Sequence, residues 1–202
     1  MKLFYSATSP FVRKVMVCAL ELGLGDHLEK ENTAVGPIDR NQVVIQVNPL
    51  AQVPSAVTDD NLAIHDSRVI CEYLDSLAGG GKLFPAPGNA RWRALTEQST
   101  ADGLLDAALL SRYEIARPAA NQYGPWRLGQ MDKVRTALNQ CNAWVPMLGG
   151  RVDIGIITIG CALGYLDFRY ADIGWRNGRV PLAEWYAAFA QRPSMAQTAP
   201  PD

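Results

Sequence analysis

Gln52-Val53-Pro54 stands directly before a short β-rich run and, with Asp66-Ser67 further along the chain, predicts both a fold and a site. Proline has no N–H to donate, so Pro54 is expected where a strand begins. If the bond before Pro54 is cis, the backbone N–H and C=O of Val53 can face outward. An extended ligand could then pair with Val53 in the way an added strand does.

Asp66-Ser67 adds charge complementarity to this pairing. Ser67 is predicted to be the N-cap of the helix that follows, and the exposed amides of a helix start attract a carboxylate. Asp66 can hold an ammonium group beside it. Taken singly, Pro54 also fits a simple loop end and Ser67 a simple helix cap. The combination favours a site for a short zwitterionic peptide.

The composition is that of a protein with room for a substantial core. Its 202 residues allow one or two domains without support from metals or disulfides. The net charge is −1, the pI is about 6.1, and no block of Lys or Arg occurs. This charge disfavours nucleic acid and anionic membranes as partners and leaves small molecules or proteins.

The four cysteines lie far apart in the sequence, without a CxxC pair or metal-ligand spacing. We therefore expect buried free thiols in a reducing compartment and no bound metal.

Residues 1–6 form too short an apolar run for a signal peptide. Residues 154–168 are the most apolar segment, but they are fewer than the roughly 20 residues that span a bilayer. These features predict a cytoplasmic protein.

The order of apolar runs and helical patterns predicts two domains. Residues 1–78 follow the order strand, helix, strand, ambiguous turn or short helix, hairpin and helix, which is typical of a small α/β domain. Residues 79–88 are rich in glycine and proline and predict a linker. Residues 89–202 show helical periodicity, with a central helix that is apolar almost all round over 153–170. The last helix is predicted to begin at Pro181.

Ser9-Pro10 lies between the first strand and the first helix. Pro10 suits the first helical position and Ser9 the N-cap. A thiol that reaches this helix start would have its anion stabilised, because cysteine pKa values fall at helix N-termini. Ser9 is thus a candidate donor to the sulfur of a ligand, with an ordinary helix cap as the alternative.

His27 and His65 lack acidic or serine partners at a catalytic spacing, which argues against a hydrolase triad.

With residues 9–14, Asn48-Pro49, Val53-Pro54 and Asp66-Ser67 followed by an all-helical half, the chain resembles a cytosolic glutathione S-transferase over essentially its whole length. It is most similar to the bacterial branch whose active hydroxyl belongs to serine. The resemblance implies a thioredoxin-like N-terminal domain, a helical-bundle C-terminal domain and a homodimer. It also implies detoxification by conjugation of the glutathione thiol to small hydrophobic electrophiles.

The resemblance also assigns roles to individual residues, with glutathione as co-substrate. Val53, next to Pro54, would pair with the cysteinyl backbone of glutathione, and Ser9 would face its sulfur. The remaining contacts would join the γ-glutamyl group to Asp66 and Ser67, and the glycyl end to Gln42 and Gln52.

The acceptor electrophile would lie in a cleft between the two domains, where Phe11, Tyr113 and Tyr165 could supply apolar walls. Aromatic residues at helical spacing also fit a helix core, so that interpretation stays open. Ala51-Gln52 stands where members of the family often carry Gly-Lys. The missing cation predicts weaker affinity for the glycyl carboxylate.

Two other functions remain open. One is a non-catalytic glutathione-binding or ligand-binding module with the same fold, which Ala51-Gln52 favours. The other is a glutathione-dependent reductase or isomerase. Mixed-disulfide chemistry generally calls for a cysteine where Ser9 stands, and Cys18 lies further along the same predicted helix.

Overall fold

The protein is described by a computed structural model over residues 1–201, which form two compact units. The first unit consists of residues 1–91 and 192–201, and the second of residues 92–191. The first unit combines a four-stranded sheet with helices, and the second is helical. The predicted order of an α/β half followed by a helical half is confirmed.

The first unit is built on a mixed sheet. Its elements in chain order are β1 (Lys2–Tyr5), α1 (Pro10–Glu21), β2 (Glu29–Asn32), α2 (Gln42–Ile45), β3 (Ser55–Val57), β4 (Ala63–Ile64), α3 (Ser67–Leu77) and, at the C-terminal end of the chain, α8 (Pro193–Gln197). The strand order is β2-β1-β3-β4. β1 runs parallel to β2, whereas β3 runs antiparallel to both β1 and β4. The predicted hairpin is therefore confirmed as β3 and β4.

Helices α1 and α3 pack against each other through apolar faces. Val12 and Val15 of α1 and Ile70 and Leu74 of α3 are at most 1% exposed. These residues recur at the helical spacing that predicted both elements. Burial of these apolar residues holds α1 and α3 against each other.

The glycine-rich segment 79–88, predicted as a linker, is organised by one buried carboxylate. Asp75 is 3% exposed. Its oxygens accept hydrogen bonds from the backbone N–H groups of Gly81 at 2.9 Å, Lys82 at 3.1 Å and Leu83 at 2.7 Å. Because these donors converge on a single side chain, the segment is an ordered part of the first unit.

The C-terminal residues 192–201 belong to the first unit, although the sequence pattern assigned them to the helical domain. Arg192 donates two hydrogen bonds to the Glu21 carboxylate, at 2.9 and 2.8 Å. Arg13 donates to the Met195 carbonyl at 3.0 Å. These contacts attach α8, an element that periodicity did not predict, to α1.

The second unit has an apolar helix at its centre. It contains most of α4 (Asn89–Ile115), followed by α5 (Gly124–Leu148), α6 (Ile154–Arg169) and α7 (Val180–Phe189). Every residue of α6 from 154 to 166 is buried. Asp153 caps this helix by accepting the Ile156 N–H at 3.1 Å. The predicted central helix is confirmed, and α7 begins one residue before the predicted Pro181.

All four cysteines are buried, as predicted, and they form no disulfide with one another. Over residues 1–201, no group of three or more His, Cys, Asp and Glu side chains lies close enough to hold a metal ion. Within the same range, none of the helices is both long enough and apolar enough to cross a membrane.

Candidate functional site

The sheet register brings three segments to one edge of the first unit. Phe4 of β1 pairs with Ser55 at the start of β3, and the two strands are antiparallel. The end of β1, which leads into α1, therefore lies beside the residue that precedes β3. β4 is antiparallel to β3 in turn, so the start of α3 lies at the same edge. Ser9, Val53 and Ser67 thus share one edge of the first unit.

Ser9 is the N-cap of α1, and Pro10 is its first residue, as predicted. The Ser9 hydroxyl oxygen accepts the Val12 N–H at 3.3 Å. Because the oxygen acts as acceptor in this bond, its own proton stays available for donation. The hydroxyl is half-buried at the positive end of a twelve-residue helix. This arrangement suits donation to an anion.

The loop around Val53 leaves the backbone N–H and C=O of this residue open to a ligand. The Val53-Pro54 bond is cis. The Asn48 side-chain amide donates to the Gln52 carbonyl at 3.2 Å and to the Ser55 hydroxyl at 2.9 Å, which fixes the loop on both sides of Val53. Within residues 1–201, the backbone N–H and C=O of Val53 form no hydrogen bond. They remain available to an extended ligand.

Asp66, and not Ser67, is the N-cap of α3, so the cap prediction is wrong. The Asp66 carboxylate accepts the Arg68 N–H at 2.8 Å, and the helix begins at Ser67. A carboxylate caps a helix at least as well as a hydroxyl does, and its charge is favoured at the helix start. Ser67 is 2% exposed, and its hydroxyl has no hydrogen-bond partner in the described part of the chain. Its hydrogen-bonding capacity is unused.

The predicted contacts to a glycyl carboxylate are polar but uncharged. The Gln42 amide donates to the Arg40 carbonyl at 3.0 Å, and Gln52 is exposed. The Arg40 guanidinium donates to the Pro49 carbonyl. Arg40 therefore places a positive charge beside the loop that contains the uncharged pair Ala51-Gln52. Sequence reasoning missed it, because a single arginine in an irregular segment has no spacing pattern.

The three predicted acceptor residues are divided between the units. Phe11 lies in the first turn of α1, whereas Tyr113 of α4 and Tyr165 of α6 belong to the second unit. Tyr165 is 4% exposed, and burial raises the pKa of its hydroxyl to about 12. The nearby positive charges of Arg112 and Arg169 oppose this shift. Both arginines went unnoticed in the sequence because they lie on separate helices.

Comparison with known families covers most of the chain. Residues 8–77 match the family described as glutathione S-transferase, N-terminal domain. Residues 103–188 match glutathione S-transferase, C-terminal domain. The chain belongs to the glutathione S-transferase family, and the sheet-containing unit is its thioredoxin-like domain.

Individual relatives match along the full length. The chain is 34% identical to the uncharacterized GST-like protein YibF of Escherichia coli (strain K12), over 100% of this chain and 99% of that protein. It is 42% identical to a glutathione transferase family member from Pseudomonas fluorescens Pf-5 solved with bound glutathione, with a TM-score of 0.97 and coverage of 100% and 99%. A glutathione S-transferase from Methylobacillus flagellatus KT, solved with GSH bound, is 33% identical, with a TM-score of 0.88 and 99% of both chains covered.

Proposed function

We propose that this protein is a glutathione transferase of the serine type, which binds glutathione and activates its thiol for attack on a small electrophile. The single observation that carries the proposal is the shared edge where the open peptide unit of Val53 lies near the start of α1 and its capping hydroxyl, Ser9. Two relatives with 42% and 33% identity were solved with glutathione bound, which supports the same ligand here.

In this proposal Val53 pairs with the cysteinyl backbone of glutathione, next to Pro54, and orients the tripeptide. Ser67 donates its hydroxyl to the γ-glutamyl carboxylate, and the exposed Asp66 carboxylate receives the γ-glutamyl ammonium. Gln42 and Gln52 bind the glycyl end, where Arg40 supplies a positive charge. Each charged end of the ligand thereby meets a complementary group.

The chemical step is activation of the thiol. The S–H proton leaves to solvent, and the thiolate accepts a hydrogen bond from the Ser9 hydroxyl in the field of the α1 start. A shift of about two pKa units corresponds to roughly 3 kcal/mol of differential stabilisation. The sulfur then forms a bond to the electrophilic carbon, and the leaving group departs with its electron pair. Phe11, Tyr113 and Tyr165 are the proposed apolar contacts of the electrophile.

A conjugate bound to a relative supports transfer to carbon. The Pseudomonas fluorescens Pf-5 protein was also solved with bound S-(propanoic acid)-glutathione, at 42% identity and a TM-score of 0.92. We extend this chemistry to the present chain as a homodimeric cytoplasmic enzyme acting in detoxification. Sedimentation equilibrium at micromolar concentration tests the dimer directly.

The decisive experiment is the variant Ser9→Ala. Loss of the hydroxyl is expected to raise the pKa of bound glutathione by about 1–2 units while its Kd stays within about threefold, because the donor acts on the thiolate. Thiolate absorbance against pH measures the pKa, and calorimetry measures the Kd. Ser6→Ala is the matched control from the same loop and is expected to change neither. An unchanged pKa in Ser9→Ala would remove the proposed role.

A non-catalytic glutathione-binding module is the second candidate. The uncharged pair Ala51-Gln52 favours it, because it leaves the glycyl carboxylate without an adjacent lysine. Glutathione binding by calorimetry, combined with no turnover of any electrophile in a broad panel, would establish this candidate in place of the enzyme. The reductase alternative requires a reactive cysteine, and Cys18 of α1 is fully buried.

A further inference from the structure

Four side chains of the second unit converge near the ends of α4 and α6. Tyr165 and Arg169 are four residues apart on α6 and therefore lie on one helix face. The Tyr170 hydroxyl, which follows α6, donates to the Ala108 carbonyl of α4 at 2.7 Å in a buried hydrogen bond. Arg112 is four residues after Ala108 on the same face of α4. This bond joins the parts of α4 and α6 that carry Arg112 and Arg169, and the Arg112 charge acts on the Arg169 guanidinium.

The charges in this cluster lack a counter-ion. Over residues 1–201, neither Arg112 nor Arg169 forms an ion pair with a carboxylate. Burial and the neighbouring Arg112 charge both lower the pKa of the Arg169 guanidinium. Arg169 is half-buried and Arg112 is exposed, and their like charges repel each other. An anion between them would offset that repulsion.

The hydroxyl of Tyr165 also lacks a partner. The residue is 4% exposed, yet in the described part of the chain its hydroxyl makes no hydrogen bond. The hydroxyl oxygen keeps contact with solvent, so its proton is open to a ligand. Tyr113, half-buried beside Arg112, adds a second ring to the cluster. The cluster therefore combines two cations, an unused hydroxyl donor and apolar ring surface.

We propose that Arg112 and Arg169, with the Tyr165 hydroxyl, bind a carboxylate group of the acceptor substrate. The inference rests on the proposed transferase function and names its substrate class: electrophiles that carry a carboxylate away from the reacting carbon. Guanidinium groups match the planar geometry of a carboxylate, and the tyrosine hydroxyl supplies a third donor. The rings of Tyr113 and Tyr165 contact the apolar part of the same molecule.

The turnover test compares two electrophiles that differ only in this group, 4-(chloromethyl)benzoate and 4-(chloromethyl)benzamide. In both, the glutathione thiolate forms a C–S bond, chloride leaves with the electron pair of the C–Cl bond, and the thiol proton goes to solvent. We expect kcat/KM for the benzoate to exceed that for the benzamide by about tenfold or more. The preference should shrink as salt is added, because screening weakens the charge interaction.

Arg112→Gln and Arg169→Gln are each expected to lower kcat/KM for the benzoate by about tenfold and to leave the benzamide within about twofold. Arg169→Lys, which keeps the charge, should restore part of the loss. Arg135→Gln, on the exposed face of α5, is the matched control and should change neither rate. Equal rates for the two electrophiles in the unmodified protein, or equal losses in the variants, would overturn the inference and leave the transferase function intact.

A binding measurement keeps the inference testable if no turnover occurs. Calorimetry compares S-(2-carboxyethyl)glutathione with S-propylglutathione, which lacks the carboxylate on the group attached to sulfur. Tighter binding of the former by about tenfold, lost in Arg112→Gln, would support the carboxylate site even in a non-catalytic protein. Equal affinity for the two conjugates, or no binding of either, would overturn it.

Discussion

Ser9 and Ser67 stand at the starts of two helices, yet their hydroxyls are used differently. Ser9 lies before α1 and accepts a backbone N–H, so that its proton is free. Ser67 is the first residue of α3, where Asp66 has taken the capping position. The residue is buried, but its hydroxyl oxygen keeps contact with solvent and has no partner over residues 1–201. One serine thus suits donation to a thiolate and the other suits donation to a carboxylate.

The variant Ser67→Ala separates binding from activation. We expect its Kd for glutathione to rise by about 10-fold, since a hydrogen bond to a charged group contributes about 1.5 kcal/mol, while the pKa of the bound thiol stays unchanged. Calorimetry and thiolate absorbance measure the two quantities. Ser76→Ala on the same helix is the control, because that exposed hydroxyl bonds, within residues 1–201, only to the Tyr73 carbonyl. A thiol pKa that shifts in Ser67→Ala would contradict this division of roles.

Between elements, the contact of α8 with α1 is expected to depend on pH. Hydrogen bonding from Arg192 lowers the pKa of the Glu21 carboxyl below its ordinary value of 4.5. The folded state therefore favours the ionised form, and this stabilisation is present above pH 4.5 and is lost as the pH falls through the lowered pKa. Acidification is expected to weaken the contact between the chain's end and its first helix.

The variant Glu21→Gln tests this contact. We expect it to lower the free energy of unfolding by about 1–3 kcal/mol at pH 7, because Arg192 then loses its charged acceptor. The difference from the unmodified protein should decrease as the pH falls below about 4. Urea denaturation at several pH values measures it. Asp132→Asn, at an exposed ion pair, should stay within about 0.5 kcal/mol. A pH-independent difference would show that the charge is not responsible.

The hydrogen bond between Tyr170 and α4 is a second contact between elements. Tyr170 is 4% exposed, and its bond to the Ala108 carbonyl joins the end of α6 to α4. We expect Tyr170→Phe to lower the free energy of unfolding by about 1 kcal/mol. Tyr123→Phe, at a residue that is 64% exposed, should have almost no effect in the same urea titration. Equal stability of the two variants would mean that the bond contributes nothing.

For the whole molecule, ligand binding and stability are linked. Glutathione at 100 times its Kd should stabilise the folded state by about 2.7 kcal/mol, because it binds the folded chain alone. For a protein of this length that corresponds to a rise in Tm of about 5–10 °C. Differential scanning calorimetry measures the rise, and an equimolar mixture of glutamate, cysteine and glycine is the control. An unchanged Tm would argue against glutathione as the ligand.

Much of the fold is predictable because the responsible interactions are local. Helix starts at Ser9-Pro10 and Asp153 follow from side chains that bond to amides three residues away. The apolar faces of α1 and α3 follow from helical periodicity. The cap of α3 was predicted one residue late, because aspartate and serine are adjacent and both are good caps. The local sequence alone does not show which of the two residues is the cap.

Contacts between distant segments had no counterpart in the sequence pattern. Asp75 binds the segment 79–88, and Glu21 binds Arg192 across 171 positions of the chain. Neither pairing has a periodic or motif-based indication. The same holds for Arg112 and Arg169, whose proximity depends on how α4 and α6 pack.

The amino-acid sequence was sufficient to predict the order of elements in the sheet-containing half, a helical half after it, and the residues proposed to bind glutathione other than Arg40. Capping, turn chemistry and apolar periodicity act over a few residues, and so they can be recognised in one chain. The tertiary structure alone decided which buried polar groups find partners and which remain unpaired. Those outcomes depend on packing between residues far apart in the chain, where no local preference specifies the partner.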